Sequence, residues 1–396
     1  MADLGIRRKT MLGAIAAAAL ALPAGAGAAV AHPDLSYDLG SSPADAGDNA
    51  LDVYVPEGAA AADSRPVVVY VHGGGWRAGD KGNQIARKVN LFTGAGYVFV
   101  SLNYRLSPAD PTILDPARIR FPDHPHDVGE ALGWLSEHID EYGGDPTRLA
   151  LVGHSAGAHL IALVSTDPSY AAAFEVEPWQ IIGTVPLDSD AYVVEDRIDE
   201  LPTPGRATYY NAFGTPAENA VTGSWAAASP QTWADAGDPR FLLVTQDNPR
   251  RLADNQAMAG ALGQDPAGVI ATPYTHEQIN DMIGGPGDTA GETQAIMDFI
   301  AASVAASADP VARLARHPRK RLRSDARRER ATFRLTSKSP GAVFECRVDS
   351  RRLKPCKARK TLRVGRGRHT FRYRALSASG RPGETEAFRF RVVGAG

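Results

Sequence analysis

The pentapeptide Gly153-His154-Ser155-Ala156-Gly157 sets a hydroxyl between two glycines, at the spacing a nucleophile needs on a sharp turn. Residues without bulk two before and two after the serine let the backbone bend tightly and leave the hydroxyl exposed. Such a serine attacks an acyl carbonyl, with a histidine as general base and a carboxylate behind the histidine. A second segment fits the same chemistry. His72-Gly73-Gly74-Gly75-Trp76 holds three successive glycines, whose backbone N–H groups can converge on one oxygen. The amides of Gly74 and Gly75, with that of Ala156 directly after the serine, are the expected oxyanion donors; removing one such donor costs about 10²–10³ in rate. A phosphate loop is disfavoured, because no Lys-Ser/Thr follows and no GxGxxG is formed.

The flanking residues must supply the elements that hold these groups. Arg148–Val152 is a short apolar run that reads as a buried strand entering the turn, and Ala158–Val164 reads as the buried helix leaving it. Pro66–Val71 is another such strand, ending at the glycine loop. His276 follows the apolar run Gly268–Ala271 and precedes the helix-like Gln294–Ile300, which puts it on a loop at a strand end, where a general base must lie. His154 is expected to line the pocket with Trp76 and Asp188, while His72, also at the pocket, braces the glycine loop. For the acid, Asp247 comes first, just beyond the strand Phe241–Thr245. Asp188 or Asp190, after Ile181–Val185, and Asp254, at the start of the following helix, remain open alternatives.

These motifs, in this order and together with Asn103–Ser107 and Tyr142–Pro146, resemble the α/β-hydrolase superfamily. The resemblance is to the HGGG-type esterases and lipases, of the hormone-sensitive-lipase-like and feruloyl/acetyl-xylan-esterase-like branches, and runs from Asp52 to Ala306. It implies a doubly wound, mostly parallel α/β sheet of about eight strands, ester hydrolysis, no cofactor or metal, and triad partners in the order Ser, Asp/Glu, His. The family usually carries a His-Gly pair and a few more residues between strand and acid; here only Gln246 stands before Asp247. Amide hydrolysis, as in peptidases or formamidases of the same fold, uses the same machinery. A silent binding protein that kept the turn and lost its acid is the reading from another class.

Length and composition set the domain count. A chain of 396 residues exceeds a usual single domain. Residues 1–31 combine Arg7-Arg8-Lys9, an apolar stretch from Met11 to Leu22 and the small-x-small Ala29-Val30-Ala31, the form of a signal peptide. Export by the Sec or twin-arginine route is expected, with the mature protein starting near His32. The apolar stretch is too short to span a bilayer. Residues 32–306 form the catalytic domain; the few residues before Pro66 and a modest cover from Ala191 to Trp233 suggest an open site for short acyl chains or acyl groups on a polysaccharide.

Beyond Ala306 the charge reverses. Residues 307–396 carry 26 Lys+Arg against 7 Asp+Glu, whereas residues 1–306 carry 17 against 38. Residues 307–330 read as an arginine-rich linker. Residues 331–396 alternate apolar and basic positions with a period of two, the pattern of antiparallel strands with a cationic outer face. Cys346 and Cys356, the only cysteines, are expected to close a hairpin as a disulfide worth about 2–4 kcal/mol. This segment resembles the Ig-like/fibronectin-type sandwich modules of secreted bacterial proteins, so the resemblance implies a small all-β sandwich. An anionic cell-wall or polysaccharide polymer is its expected partner. Nucleic acid is disfavoured, since no aromatic stripe or reading helix accompanies the charge.

Overall fold

The computed structural model describes residues 29–38, 40, 48–324, 326–350 and 352–394. The expected signal peptide falls outside them up to residue 28. Eight strands build the main sheet: β1 (Val30–Ser36), β2 (Ala50–Val55), β3 (Arg65–Val71), β4 (Val98–Leu102), β5 (Gly144–His154), β6 (Ile181–Leu187), β7 (Val244–Gln246) and β8 (Ile270–Thr272). Their order is β1-β2-β4-β3-β5-β6-β7-β8. β2 pairs antiparallel with β1 and β4, and every other neighbour is parallel, as the expected mostly parallel sheet requires.

Among the described residues twelve helices accompany the sheet: α1 (Ala86–Gly94), α2 (Asp123–His138), α3 (Ala156–Thr166), α4 (Ser169–Ala172), α5 (Val194–Glu200), α6 (Thr203–Phe213), α7 (Pro216–Thr222), α8 (Ser224–Ala227), α9 (Pro230–Trp233), α10 (Pro249–Ala261), α11 (His276–Asp281) and α12 (Glu292–Ala306). Parallel strands need cover on both faces, and β3 shows how the sequence provides for it. Val67, Val69 and Val71 point into one core with Leu132 and Leu135 of α2 and Leu160 of α3. Val68 and Tyr70 point into the other, with Phe92 of α1 and Ile296 and Ile300 of α12. Helices α5 to α9 form the cover over the carboxyl ends of the strands that was expected between Ala191 and Trp233.

The C-terminal region is all β. Its strands are β9 (Arg313–Arg316), β10 (Arg321–Arg323), β11 (Glu329–Thr336), β12 (Val343–Val348), β13 (Lys354–Cys356), β14 (Arg359–Val364), β15 (Gly367–Leu376) and β16 (Glu386–Val393). They make a five-stranded sheet, β10-β16-β15-β12-β13, and a three-stranded sheet, β14-β11-β9. Both sheets contribute to one core, in which Phe333 of β11 stacks on Phe371 of β15 at 4.0 Å. Cys346 and Cys356 are joined as a disulfide between the paired strands β12 and β13.

The linker expected over residues 307–330 is corrected here. β9 pairs with β11 and β10 with β16, so both short strands are built into the sheets. Each has one inward apolar residue, Leu314 or Leu322, packed on the shared core. Arg381 ties this region to the first: it donates to the carbonyl and hydroxyl of Thr147 at 2.6 and 2.8 Å, and on its own side to Asp309 at 2.8 Å. Thr147 lies toward the far end of β5 from Ser155.

Candidate active site

β5 runs into the turn at Ser155, and α3 leaves it one residue later. Ser155 adopts φ 55°, a left-handed conformation that few side chains take. The glycines make this possible. A Cβ on Gly157 would stand 2.2 Å from the carbonyl oxygen of Val71, and one on Gly153 would stand 2.6 Å from that of Gly157. Only glycine lets α3 pack this closely on the ends of β3 and β5. The Ser155 N–H also donates to Leu187 O at 2.9 Å, which fixes the turn against the end of β6.

His276 begins α11. Thr275 caps that helix: its hydroxyl accepts from the Gln278 N–H, and its own N–H donates to Gln278 Oε1 at 2.9 Å. This capping box holds the imidazole toward the turn. His276 Nε2 lies 2.9 Å from Ser155 Oγ, and Nδ1 lies 2.6 Å from Asp188 Oδ2. Two of the three groups expected to meet therefore do so, and Asp188 is the third.

Asp247, the first choice for the acid, is corrected. It is exposed, its N–H donates to Thr272 O at 2.7 Å, continuing the β7–β8 ladder, and the carboxylate that meets His276 is that of Asp188. Asp188 follows β6 directly, at φ 55°, with its side chain fully buried. Its Oδ1 accepts from the Thr245 hydroxyl at 2.8 Å and the Gln246 N–H at 3.1 Å, and its Oδ2 from Gln246 Nε2 at 2.7 Å. Burial alone would raise its pKa, but the bond from His276, the Arg251 cation and the Gln246 and Thr245 donors outweigh it and hold the carboxyl well below the usual range. Asp190 is engaged by Tyr209 and three arginines, and Asp254 by Arg250, so neither alternative reaches His276.

The glycine loop abuts the nucleophile. A Cβ on Gly73 would lie 3.0 Å from Ser155 Cβ, and Gly74 takes φ 121°, open to glycine alone. Its carbonyl accepts from the Arg77 and Ala78 N–H groups at 3.3 and 3.1 Å, which closes the loop as a turn. His72 Nδ1 lies 2.7 Å from Gly73 O, and its ring stacks on Tyr104 at 4.6 Å. Burial lowers its pKa, so it braces the loop as a neutral ring.

Ser155 and His276 stand at a cavity of about 550 Å³ that Gly73, Gly74, Gly75, His72 and His154 also line. Sequence reasoning missed much of its polar wall: Tyr70, Asn83, Gln84, Thr208 and Asn280. Two residues expected at the pocket lie elsewhere. Trp76 is buried among Tyr209, Phe213 and His159, and Asp188 sits behind His276. Among the described residues, one cluster has metal-ligand chemistry, His126, Asp127 and Glu130. There Arg105 already places its guanidinium 2.6 Å from Asp127, where a cation would go.

Known proteins share this arrangement of elements. The BD-FAE family model matches residues 51–259, from β2 into α10. The probable carboxylic ester hydrolase LipM of Mycobacterium tuberculosis is 35% identical over 142 residues, which are 35% of this chain and 31% of that protein. Carboxylesterase NlhH of the same species is 40% identical over 105 residues, 26% of this chain and 30% of its own. The chain thus spans about a third of the length of the curated relatives it matches. Among solved structures, esterase B from Lactobacillus rhamnosis superposes with a TM-score of 0.52 at 19% identity, covering 71% of this chain and 88% of that one. A truncated carbohydrate esterase from gut microbiota gives 0.51 at 18% identity, covering 72% and 99%. At such identities the likeness is one of fold, that of the α/β-hydrolases. With the family match extending over more than half of its length, the chain belongs to the BD-FAE family.

Proposed function

We propose that this protein is a serine carboxylic-ester hydrolase working through an acyl-enzyme. The observation that carries the reading is the Ser155–His276–Asp188 chain, at 2.9 and 2.6 Å, standing at a polar cavity. The names of the curated relatives, carboxylic ester hydrolase and carboxylesterase, point the same way.

In the proposed mechanism, Ser155 Oγ attacks the ester carbonyl while His276 Nε2 takes its proton. Asp188 orients the imidazole through Nδ1–H and stabilises the imidazolium. The oxyanion lies on the amides of Gly74, Gly75 and Ala156, which cost no reorganisation as charge develops. Collapse breaks the bond to the alcohol oxygen, which leaves with the proton from His276. Water then attacks the acyl-enzyme, its proton passes to His276, and the carboxylic acid departs as Ser155 recovers its hydrogen.

The substrates proposed are short-chain or polymer-linked acyl esters, since the cavity wall is rich in amide, hydroxyl and imidazole groups. Residues 313–393 are proposed as an Ig-like β-sandwich accessory module, supported by two sheets sharing one core. Export follows from the charged and apolar N-terminal sequence; β1 begins at Val30, so cleavage after Ala31 would shorten this edge strand by two residues. A fluorophosphonate probe tests the whole reading. Labelling at Ser155 is expected, and it should vanish in His276→Ala; folded protein that takes no label defeats the proposal. A chain-length series should favour p-nitrophenyl acetate or butyrate over the palmitate, and an aryl formamide cleaved faster than any ester would point to amide chemistry instead.

A further inference from the structure

The three-stranded sheet turns a face outward that carries six arginines. Alternation along β11 buries Ala331, Phe333 and Leu335 and leaves Arg330 and Arg334 exposed. β14 exposes Arg359 and Arg363 in the same way, and β9 exposes Arg313 and Arg316. The register sets like against like: Arg330 pairs with Arg363, and Arg334 pairs with Arg359 on one side and Arg316 on the other. Between these rows Thr332 faces Thr361, with the hydroxyl oxygens 3.0 Å apart.

Like charges directly opposite across a sheet are destabilising. Cations on β14 and β9 have a purpose within the fold, because charged edge strands discourage pairing with another sheet. That purpose does not reach β11, the central strand, where Arg330 and Arg334 lie between the others. Among the described residues none of the six forms an ion pair. The five-stranded sheet also sets arginines opposite one another, Arg368 against Arg391 and Arg347 against Arg372, but there Glu345 sits in the same rows and pairs with Arg374 at 2.7 Å. A row of arginines that repel one another, held on a rigid sheet without internal counter-charge, is complementary to an external anion.

We propose that this face is a docking surface for a linear phosphodiester polymer with an acyclic backbone, such as a polyol phosphate. Guanidinium groups stay charged and grip phosphate oxygens in a two-pronged fashion, which suits arginine rather than lysine rows. Bases and sugar rings are held by stacking on aromatic side chains, and the paired outward positions here offer only arginine and threonine. The remainder of the chain, with 17 Lys+Arg against 38 Asp+Glu in residues 1–306, repels the same polymer and confines it to this module. The inference stands apart from the hydrolase reading: a protein without esterase activity would still bind, and an active esterase that does not bind would refute only this proposal.

The test uses the full chain and fluorescent poly(glycerol phosphate), with polygalacturonate and a single-stranded oligodeoxynucleotide of matched charge as competitors. Poly(glycerol phosphate) should bind tightest, weakening about tenfold or more between about 50 and 200 mM salt. The R330S/R334S/R359S variant should lose about tenfold in affinity, while R368S/R391S, on the other sheet, should change it less than about threefold. Equal losses from both variants, tighter binding of either competitor, or no binding at low salt would each overturn the proposal. Should the serine variant melt early, R330K/R334K/R359K keeps the charge and removes the fork. It is expected to bind about threefold or more weaker; unchanged affinity would count against the arginine-specific surface.

Discussion

Arg251 sets its guanidinium 3.1 Å from Asp188 Oδ2, the same oxygen that takes the hydrogen bond of His276 Nδ1. The carboxylate is therefore shared between the imidazole and a permanent cation. Substituting Asp188 by Asn would put a neutral group on His276 and upset its tautomer, as in other triads. D188N is expected to lower kcat on the order of 10⁴-fold. D247N should leave kcat unchanged, because Asp247 is exposed and Asp188 is the partner of His276. Steady-state kinetics of the pair decide the matter, and a large loss in D247N with activity kept in D188N would reverse the assignment.

Removing the cation tests how it acts. In R251M the Asp188 carboxylate loses a cation that helps to hold it ionised. The loss of kcat/KM relative to the parent should therefore be larger near pH 5 than near pH 8. A uniform loss across the profile would mean that Arg251 only supports the fold.

The sequence order of these elements explains what could be read in advance. The strand, turn and helix around Ser155 were legible because each signal is local: an apolar run, two glycines and a second apolar run. His276 was legible from its place after the last strand. The acid was not, because Asp188 and Asp247 both follow strands, and the choice depends on which side chain the sheet turns inward. A clue lay in Thr245, Gln246 and Arg251, three donors clustered around Asp247 that serve Asp188 instead. Trp76 was misplaced for a similar reason: its φ of 60° swings the ring away from the glycine loop into an aromatic cluster supplied by α6, far along the chain. β9 and β10 escaped because each packs only one apolar residue inward, Leu314 or Leu322, among arginines, too little for a period of two to register.

His154 spans the gap between the two loops of the site. Its Nε2 lies 2.8 Å from His276 O, its ring is 4.6 Å from the His276 ring, and a Cβ on Gly73 would meet its Nδ1 at 3.0 Å. Burial, with His276 beside it, lowers its pKa to about 3, so it stays neutral and donates to the carbonyl without repelling an imidazolium. H154A should reduce kcat about tenfold to hundredfold with KM little changed, by loosening His276. H154Q, which keeps an amide donor, should recover part of the loss. Equal kcat in H154A and the parent would remove any positioning role.

Glu292 opens α12 fully buried, and neither carboxyl oxygen has a hydrogen-bond partner among the described residues. Burial first, then Asp288, raise its pKa to about 8, against the pull of Lys88. Because the folded value is raised, the folded protein keeps a proton that the unfolded chain loses above its ordinary 4.5. Stability from this group is thus present at low pH, falls as pH rises toward about 8, and levels off beyond. Glutamine cannot ionise. The melting advantage of E292Q over the parent should grow between about pH 5 and pH 8, by at most about 1.4 kcal/mol per pH unit. A difference that does not vary with pH would show that Glu292 is ionised in the folded protein.

Arg381 is the side chain that couples the two regions, and its substitution should separate stability from catalysis. Besides its bonds to Asp309 and Thr147, its guanidinium lies 5.6 Å from the Trp179 ring. R381A leaves the Thr147 carbonyl without this donor, and the docking should weaken on the order of 2 kcal/mol. Ester turnover should not change, because Thr147 and Ser155 lie toward opposite ends of β5. The readouts are limited proteolysis between α12 and β9, which should quicken, and the melting curve, which should separate into two transitions. R381K, a point charge without the fork, should fall between the two. A single unshifted transition in R381A would mean that other contacts hold the regions together, and slower turnover would mean that docking reaches the active site through β5.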